Sequence, residues 1–90
     1  MLKTVSIIVS GKVQGVYYRQ STKEKARELT ITGEVRNMPD DTVRIIATGS
    51  AEQVEQLIDW CKQGPSRAKV ADVVVKEVTL QEFEKFNIVR

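Results

Sequence analysis

The sequence of 90 residues contains no histidine, and this absence removes a large part of ordinary catalytic chemistry. Without an imidazole there is no histidine nucleophile, no histidine base near neutral pH and no histidine ligand for a metal. The single cysteine, Cys61, cannot form a disulfide within the chain. We therefore expect a protein that works without a metal and without a cofactor.

Long apolar runs and a large charge of one sign are also lacking. No stretch approaches the ~20 apolar residues of a membrane-spanning helix, and the start at Met1 has no signal-peptide layout. The net charge of +2, with both signs interspersed, argues against a nucleic acid or a membrane as partner. A chain of 90 residues can build one two-layer core. We expect a single domain over residues 1–90 that is monomeric and cytoplasmic.

The hydrophobic pattern predicts alternating strands and helices. The clearest helix signal is a capping box, Ser50 with Gln53, followed by an apolar stripe that ends at Gly64 and Pro65. Turn residues at 38–42 predict a hairpin. In chain order we expect a strand over Val5–Val9, a helix over Gln20–Leu29, strands over Ile31–Asn37 and Val43–Thr48, a helix between Ser50 and Gly64, and strands over Val70–Val78 and Phe86–Val89.

This order, βαββαβ with an additional C-terminal strand, is typical of the ferredoxin-like, split β-α-β architecture. Two right-handed β-α-β crossovers would place both helices on one face of an antiparallel sheet. The expected fold class is therefore α+β, a two-layer sandwich.

The segment Gly11–Arg19, GKVQGVYYR, joins the first strand to the first helix and has the composition of an oxyanion site. Glycine permits a positive φ, so successive backbone N–H groups can point into one concavity. The start of the helix adds unpaired N–H donors, and Arg19 adds a planar cationic fork. The spacing matches neither the Walker loop nor the dinucleotide fingerprint. By chemistry alone, a plain strand-to-helix joint with a solvated arginine fits equally well.

Two motifs carry a resemblance to a known family. Gly11-x-Val13-Gln14-Gly15-Val16-x-Tyr18-Arg19 resembles the first signature of the acylphosphatase family, and the stretch from Gly33 through Asn37 to Gly49 is similar to the second. The resemblance covers essentially the whole chain, including Trp60, Gly64-Pro65 and the closing Phe86-Asn87-Ile88. Three residues depart from the family pattern: Glu34 replaces an aromatic residue, while Thr30 and Asp41 stand where glycine is usual.

The resemblance implies an enzyme, an acylphosphatase, that hydrolyses small-molecule acyl phosphates and takes inorganic phosphate or sulfate as ligands. It implies that Arg19 and Asn37 are catalytic, with Asn37 orienting the attacking water. An amide is no base near neutral pH, so we expect a phosphoryl oxygen of the substrate to take the proton of that water. The residues alone would also allow Asn37 to stabilise the turn at Met38–Pro39. The implied phosphate-binding loop comprises Gln14, Gly15, Val16, Tyr17, Tyr18 and Arg19.

Other functions fit parts of the sequence. Cys61 to Arg67 matches Cys-x-x-Gly-x-x-Arg, the phosphate loop of cysteine-dependent phosphatases. Cys61, however, is predicted to lie in the last turn of a helix, where the dipole disfavours a thiolate, so we interpret it as a core residue. RNA-binding sheets of this architecture stack bases on aromatic side chains, which the first and third strands lack. A non-catalytic phosphate- or partner-binding module remains the alternative.

Overall fold

Five strands and two helices follow one another in the predicted order. The structure is a computed structural model that describes all residues 1–90. Two bounds differ from those expected: the first strand extends over Leu2–Lys12 rather than Val5–Val9, and the first helix begins at Tyr18 rather than Gln20, directly after the glycine-containing loop. The elements are β1 (Leu2–Lys12), α1 (Tyr18–Glu28), β2 (Thr32–Asn37), β3 (Val43–Ser50), α2 (Ala51–Gln63), β4 (Lys69–Val78) and β5 (Phe86–Val89).

The strands form one sheet in the order β4-β1-β3-β2-β5. The first four pair antiparallel, as expected, whereas β5 pairs parallel to β2 and makes the sheet mixed. β4 ends at the edge of the sheet where β1 and β2 begin, because Val78 pairs with Thr4. The connection 79–85 is too short to run back along the sheet, so β5 enters at that same edge and must run in the direction of β2.

This topology brings several chain segments to the opposite edge of the sheet. β1, β2 and β5 end there, while β3 and β4 begin there, as the pairs Lys12 with Lys69 and Asn37 with Val43 record. The loop before α1 therefore lies beside the end of β2 and the C-terminal end of β5.

Both helices pack on one face of the sheet, and the core lies between the two layers. Alternation places Val5, Ile7 and Val9 of β1 in this core, each at most 2% exposed. The capping box of α2 is present, because Ser50 Oγ accepts from the Gln53 N–H at 3.2 Å and Gln53 Oε1 accepts from the Ser50 N–H at 3.1 Å. The predicted apolar stripe of α2 is buried: Val54, Leu57, Ile58 and Cys61. The predicted α+β, ferredoxin-like sandwich is confirmed.

Thr30 and Asp41, which stand where the family pattern usually has glycine, both have a left-handed backbone conformation. Their φ angles are 61° and 71°, in the region that glycine adopts without strain. Thr30 lies two residues after the end of α1, where its N–H donates to the Arg27 carbonyl and the Ile31 N–H donates to the Ala26 carbonyl. These two bonds form a Schellman motif, in which glycine is the usual residue at the position of Thr30.

Candidate active site

A cleft of about 480 Å³ lies at the edge of the sheet where β2 and β5 end. The charged side chains that line it are Arg19, Arg67 and Arg90, and no aspartate or glutamate is among its lining residues. The cleft is therefore a site of positive potential that attracts an anion. The uncharged lining residues are Val13, Gly15, Tyr17, Tyr18, Gln20, Asn37 and Ile88.

The backbone of the loop before α1 supplies uncharged donors. Gly15 and Tyr17 both adopt left-handed conformations, with φ of 73° and 63°. At Gly15 a side chain would meet open space, so glycine is required here for its φ angle and not for close packing. The backbone N–H groups from Gln14 to Tyr17 donate to no acceptor within the chain. Such a row of free donors at a helix start forms a nest for an anion.

Gln14 fixes this loop through its side chain. Its Nε2 group donates to the carbonyl oxygens of Met38 at 3.0 Å and Thr42 at 2.8 Å, in the turn between β2 and β3. Val16 is 5% exposed and belongs to the core. The side chains of Gln14 and Val16 thus hold the loop in place and do not line the cleft, so only their backbone can reach a ligand.

Tyr18 connects the start of α1 to the end of α2. It is 1% exposed, and its hydroxyl donates to the Cys61 carbonyl oxygen at 2.8 Å. Its ring lies 5.5 Å from the ring of Trp60. A Cβ at Gly64 would come within 2.8 Å of the Tyr18 ring, so glycine is needed there for close packing. Tyr18 thereby anchors the backbone that carries its neighbour, Arg19.

Arg19 lies in the first turn of α1, and its half-buried side chain has no ion pair or hydrogen bond within the chain. Its guanidinium group is therefore available to an anion in the cleft. The positive charge of Arg19 and the free backbone N–H groups of the loop therefore lie at the same cleft.

Asn37 is the last residue of β2, on the same face of the strand as buried Val35. Its Oδ1 atom is buried and accepts no hydrogen bond. The adjacent turn is closed by other groups, since the Met38 N–H donates to the Thr42 carbonyl at 2.8 Å and the Thr42 hydroxyl donates to the Asp40 carboxylate at 2.6 Å. The hydrogen bond from the Thr42 hydroxyl holds the pKa of the Asp40 carboxyl below its ordinary value. The alternative interpretation of Asn37 as a turn-stabilising residue therefore finds no hydrogen bond to support it.

Cys61 is fully buried near the end of α2, and burial raises the pKa of its thiol to about 12. A thiol with this pKa stays protonated near neutral pH and is a poor nucleophile. The Cys61–Arg67 pattern thus forms no cysteine phosphate loop, although Arg67 does line the cleft.

The sequence-predicted residues that line the cleft are Gly15, Tyr17, Tyr18, Arg19 and Asn37. Two further residues, Arg67 and Arg90, were not predicted as site residues. The signal that could have found Arg90 is a cation directly after the last strand, once that strand is paired beside β2. Nowhere in the chain do three or more histidine, cysteine, aspartate or glutamate side chains group as ligands for a metal ion. Neither helix has the length and apolar character needed to cross a membrane.

Comparison with known proteins assigns the family. The acylphosphatase family model matches residues 5–88. The chain belongs to the acylphosphatase family. An acylphosphatase from Marinobacter nauticus is 54% identical over 82 residues, which span 90% of this chain and 89% of the relative.

Solved structures of the family share the fold. An acylphosphatase from Bacillus subtilis superposes with a TM-score of 0.95 and 34% identity, covering 100% of both chains. An acylphosphatase from Coxiella burnetii gives a TM-score of 0.95 and 34% identity, covering 98% of this chain and 93% of the other. The predicted family membership is confirmed.

Proposed function

We propose that this chain hydrolyses the carboxyl–phosphate bond of small acyl phosphates to a carboxylate and inorganic phosphate. The observation that carries the proposal is the convergence of three features in one cleft. These features are the free N–H groups from Gln14 to Tyr17, the unpaired guanidinium of Arg19 and the buried, unpartnered Oδ1 of Asn37.

The phosphoryl group fits the loop. Its oxygens accept from the backbone N–H groups of the loop, while Arg19 holds two of them through its fork and offsets their charge. The positive end of the α1 dipole acts in the same direction. Because the donors are fixed by Gln14 and Tyr18, they need little reorganisation as charge builds up on the phosphoryl oxygens.

Asn37 is suited to orient the attacking water. A buried acceptor without a partner within the chain is a strong site for a donor from a bound molecule. When the water oxygen attacks phosphorus, the bond from phosphorus to the acyl oxygen breaks and the carboxylate leaves with the bonding electrons. One water proton passes to a phosphoryl oxygen, so a dianionic acyl phosphate and water give a carboxylate and dihydrogen phosphate. The carboxylate is a good leaving group, and no protein acid is required.

The alternative, a non-catalytic phosphate- or partner-binding module, is less favoured. A module that only held phosphate on Arg19 and the loop would leave the buried Oδ1 of Asn37 without a hydrogen-bond donor. Metal independence, a monomeric state and a cytoplasmic location remain predictions from the sequence. Sedimentation and cell fractionation measure the last two.

The test of this function is hydrolysis of benzoyl phosphate or acetyl phosphate by the purified chain, with an added chelator and without added metal. We expect turnover under both conditions, with inorganic phosphate and sulfate acting as competitive inhibitors. No turnover under any condition would overturn the proposal. Loss of turnover with the chelator, restored by a divalent ion, would overturn metal independence.

A matched control shows that turnover depends on the cleft and not on total charge. Arg44 is exposed on β3 and does not line the cleft. The Arg44→Ala variant should hydrolyse both substrates at the wild-type rate, whereas Arg19→Ala should not.

A further inference from the structure

We propose that Arg67 and Arg90 select acyl phosphates whose acyl group carries a second anionic group, such as a carboxylate. This inference rests on the proposed function and concerns the part of the cleft beyond the phosphoryl group. Neither arginine belongs to the two sequence motifs that resemble the family signatures.

The sheet register explains why both arginines reach the cleft. Arg90 directly follows Val89, which pairs with Arg36, so Arg90 lies beside Asn37 in the register of β2 and β5. Arg67 lies in the connection that enters β4 at Lys69, opposite the end of β1. The two arginines therefore approach the cleft from different segments of the chain, next to the residues proposed to hold phosphate and water.

The size of the cleft leaves room for more than phosphate. Its volume of about 480 Å³ falls within the ~300–1,000 Å³ of pockets that hold whole small molecules. The loop and Arg19 occupy one part of it, at the start of α1. Arg67 and Arg90 are both exposed and both line the cleft, so they are accessible to an acyl substituent that extends from the phosphoryl group towards solvent.

The charges around these arginines favour an anionic substituent. The three ion pairs of the chain, Lys25–Glu28, Arg36–Glu34 and Lys62–Asp59, involve neither of them. No aspartate or glutamate side chain lines the cleft, so neither guanidinium has an acidic side chain as a partner there. Arginine binds a carboxylate through two parallel N–H···O bonds, which supply orientation as well as attraction. An uncharged acyl group would form no ion pair with Arg67 or Arg90.

The experiment compares benzoyl phosphate with 4-carboxybenzoyl phosphate. The selectivity is the ratio of kcat/KM for the carboxylated substrate to kcat/KM for benzoyl phosphate. We expect this ratio to exceed one in the wild type and to decrease as salt is added, because exposed charges are screened. In the double variant Arg67→Gln/Arg90→Gln the ratio should fall roughly two- to thirtyfold, the range for two exposed ion pairs.

A control variant removes the same number of charges elsewhere. Arg44 on β3 and Lys76 on β4 are exposed outside the cleft lining, so Arg44→Gln/Lys76→Gln should keep the wild-type ratio. Circular dichroism and urea unfolding would establish that both variants are folded.

The outcomes separate this inference from the proposed function. If benzoyl phosphate is hydrolysed but the wild-type ratio is one or lower, or the ratio survives in Arg67→Gln/Arg90→Gln, the inference is wrong and the function stands. An equal fall of the ratio in the control variant would also overturn it, because the effect would then come from total charge. If neither substrate is hydrolysed, the proposed function itself fails.

Discussion

The hydroxyl of Tyr18 donates to the backbone carbonyl of Cys61 at 2.8 Å, across the interface between the start of α1 and the end of α2. Burial raises the pKa of both side chains, that of Cys61 to about 12, and the nearby Cys61 adds to the rise at Tyr18. The hydrogen bond thus joins the neutral Tyr18 hydroxyl to a backbone carbonyl, and the Cys61 thiol of the same residue also stays protonated near pH 7. Both residues are structural, and the burial of the thiol has a measurable consequence at high pH.

The free energy of unfolding should fall above about pH 8.5, partly because of Cys61. An unfolded thiol ionises with a pKa of ~8.5, whereas the folded thiol keeps its proton to about 12, so the folded state binds more protons in this range. The contribution of Cys61 is complete below the unfolded pKa and is lost at about 1.4 kcal/mol per pH unit as pH rises towards the folded pKa.

Urea unfolding of wild type and Cys61→Ala at several pH values measures this contribution. The two proteins differ only at residue 61, so the difference between their curves reports the thiol together with its effect on the neighbouring Tyr18. We expect the wild type to lose stability relative to Cys61→Ala between about pH 9.5 and 11. Parallel curves over this range would contradict the burial-raised pKa.

Thr30→Gly should stabilise the protein. Thr30 is a β-branched residue with φ of 61° in the Schellman motif that ends α1, a left-handed conformation that costs a β-branched residue roughly 1–2 kcal/mol. Glycine also increases the entropy of the unfolded chain, which offsets ~0.4–1 kcal/mol. The expected net gain in unfolding free energy lies between roughly 0 and 1.6 kcal/mol, with a midpoint of about 0.8 kcal/mol.

Thr32→Gly is the matched control, since Thr32 has an ordinary strand conformation at the start of β2. It should lower the unfolding free energy in the same urea titration. A loss of stability in both variants would mean that the backbone at Thr30 is relaxed.

The sequence allowed the element order to be predicted because local signals determine it. The alternation of Val5, Ile7 and Val9 and the capping box of Ser50 with Gln53 each depend on residues close in the chain. The parallel pairing of β5 with β2 was not predicted, since it depends on where a connecting segment enters the sheet. For the same reason Arg90 was missed: its place beside Asn37 follows from that pairing.

The sequence also predicted part of the candidate site. The motif located the loop and Asn37, and the structure places Gly15, Arg19 and Asn37 around one cleft. The unpartnered state of Asn37 Oδ1 could not be predicted, because it depends on every neighbour in three dimensions. In the sequence, Arg67 belongs only to the Cys61–Arg67 pattern of cysteine-dependent phosphatases, and the burial of Cys61 excludes that function.

Replacing Arg19 should weaken phosphate binding and slow turnover. Removal of one uncharged donor from a preorganised oxyanion site costs roughly 10²–10³ in rate, and Arg19→Ala removes a charged, bidentate one. Arg19→Lys should rescue poorly, because an ammonium group cannot reproduce the planar fork. The measurements are kcat, KM and the inhibition constant of phosphate, with Arg44→Ala as the control. Near-normal kinetics in Arg19→Lys would show that the fork geometry is unimportant.

Asn37→Ala should lower kcat by about 10²-fold or more and leave both KM and phosphate inhibition nearly unchanged. The reason is that Asn37 is proposed to hold the attacking water and not the phosphoryl group. Its stability should not fall, because Oδ1 accepts no hydrogen bond that the substitution would break. Asn87→Ala provides the matched control, since Asn87 is exposed on β5 and does not line the cleft. A normal kcat in Asn37→Ala, or a rise in KM that accounts for the whole loss, would contradict the water-orienting role.

Cys61→Ser completes the test, because it separates water attack from a cysteine nucleophile. The serine hydroxyl would lie on the buried, apolar stripe of α2, so the variant should lose stability and keep its activity. A cysteine mechanism requires the reverse pattern: Cys61→Ser inactive, Asn37→Ala active and a phosphoenzyme trapped on Cys61. Assay of both variants on benzoyl phosphate, with folding checked by urea titration, decides between the two mechanisms. The fully buried thiol, with its pKa raised to about 12, leads us to expect that Asn37 is required and Cys61 is not.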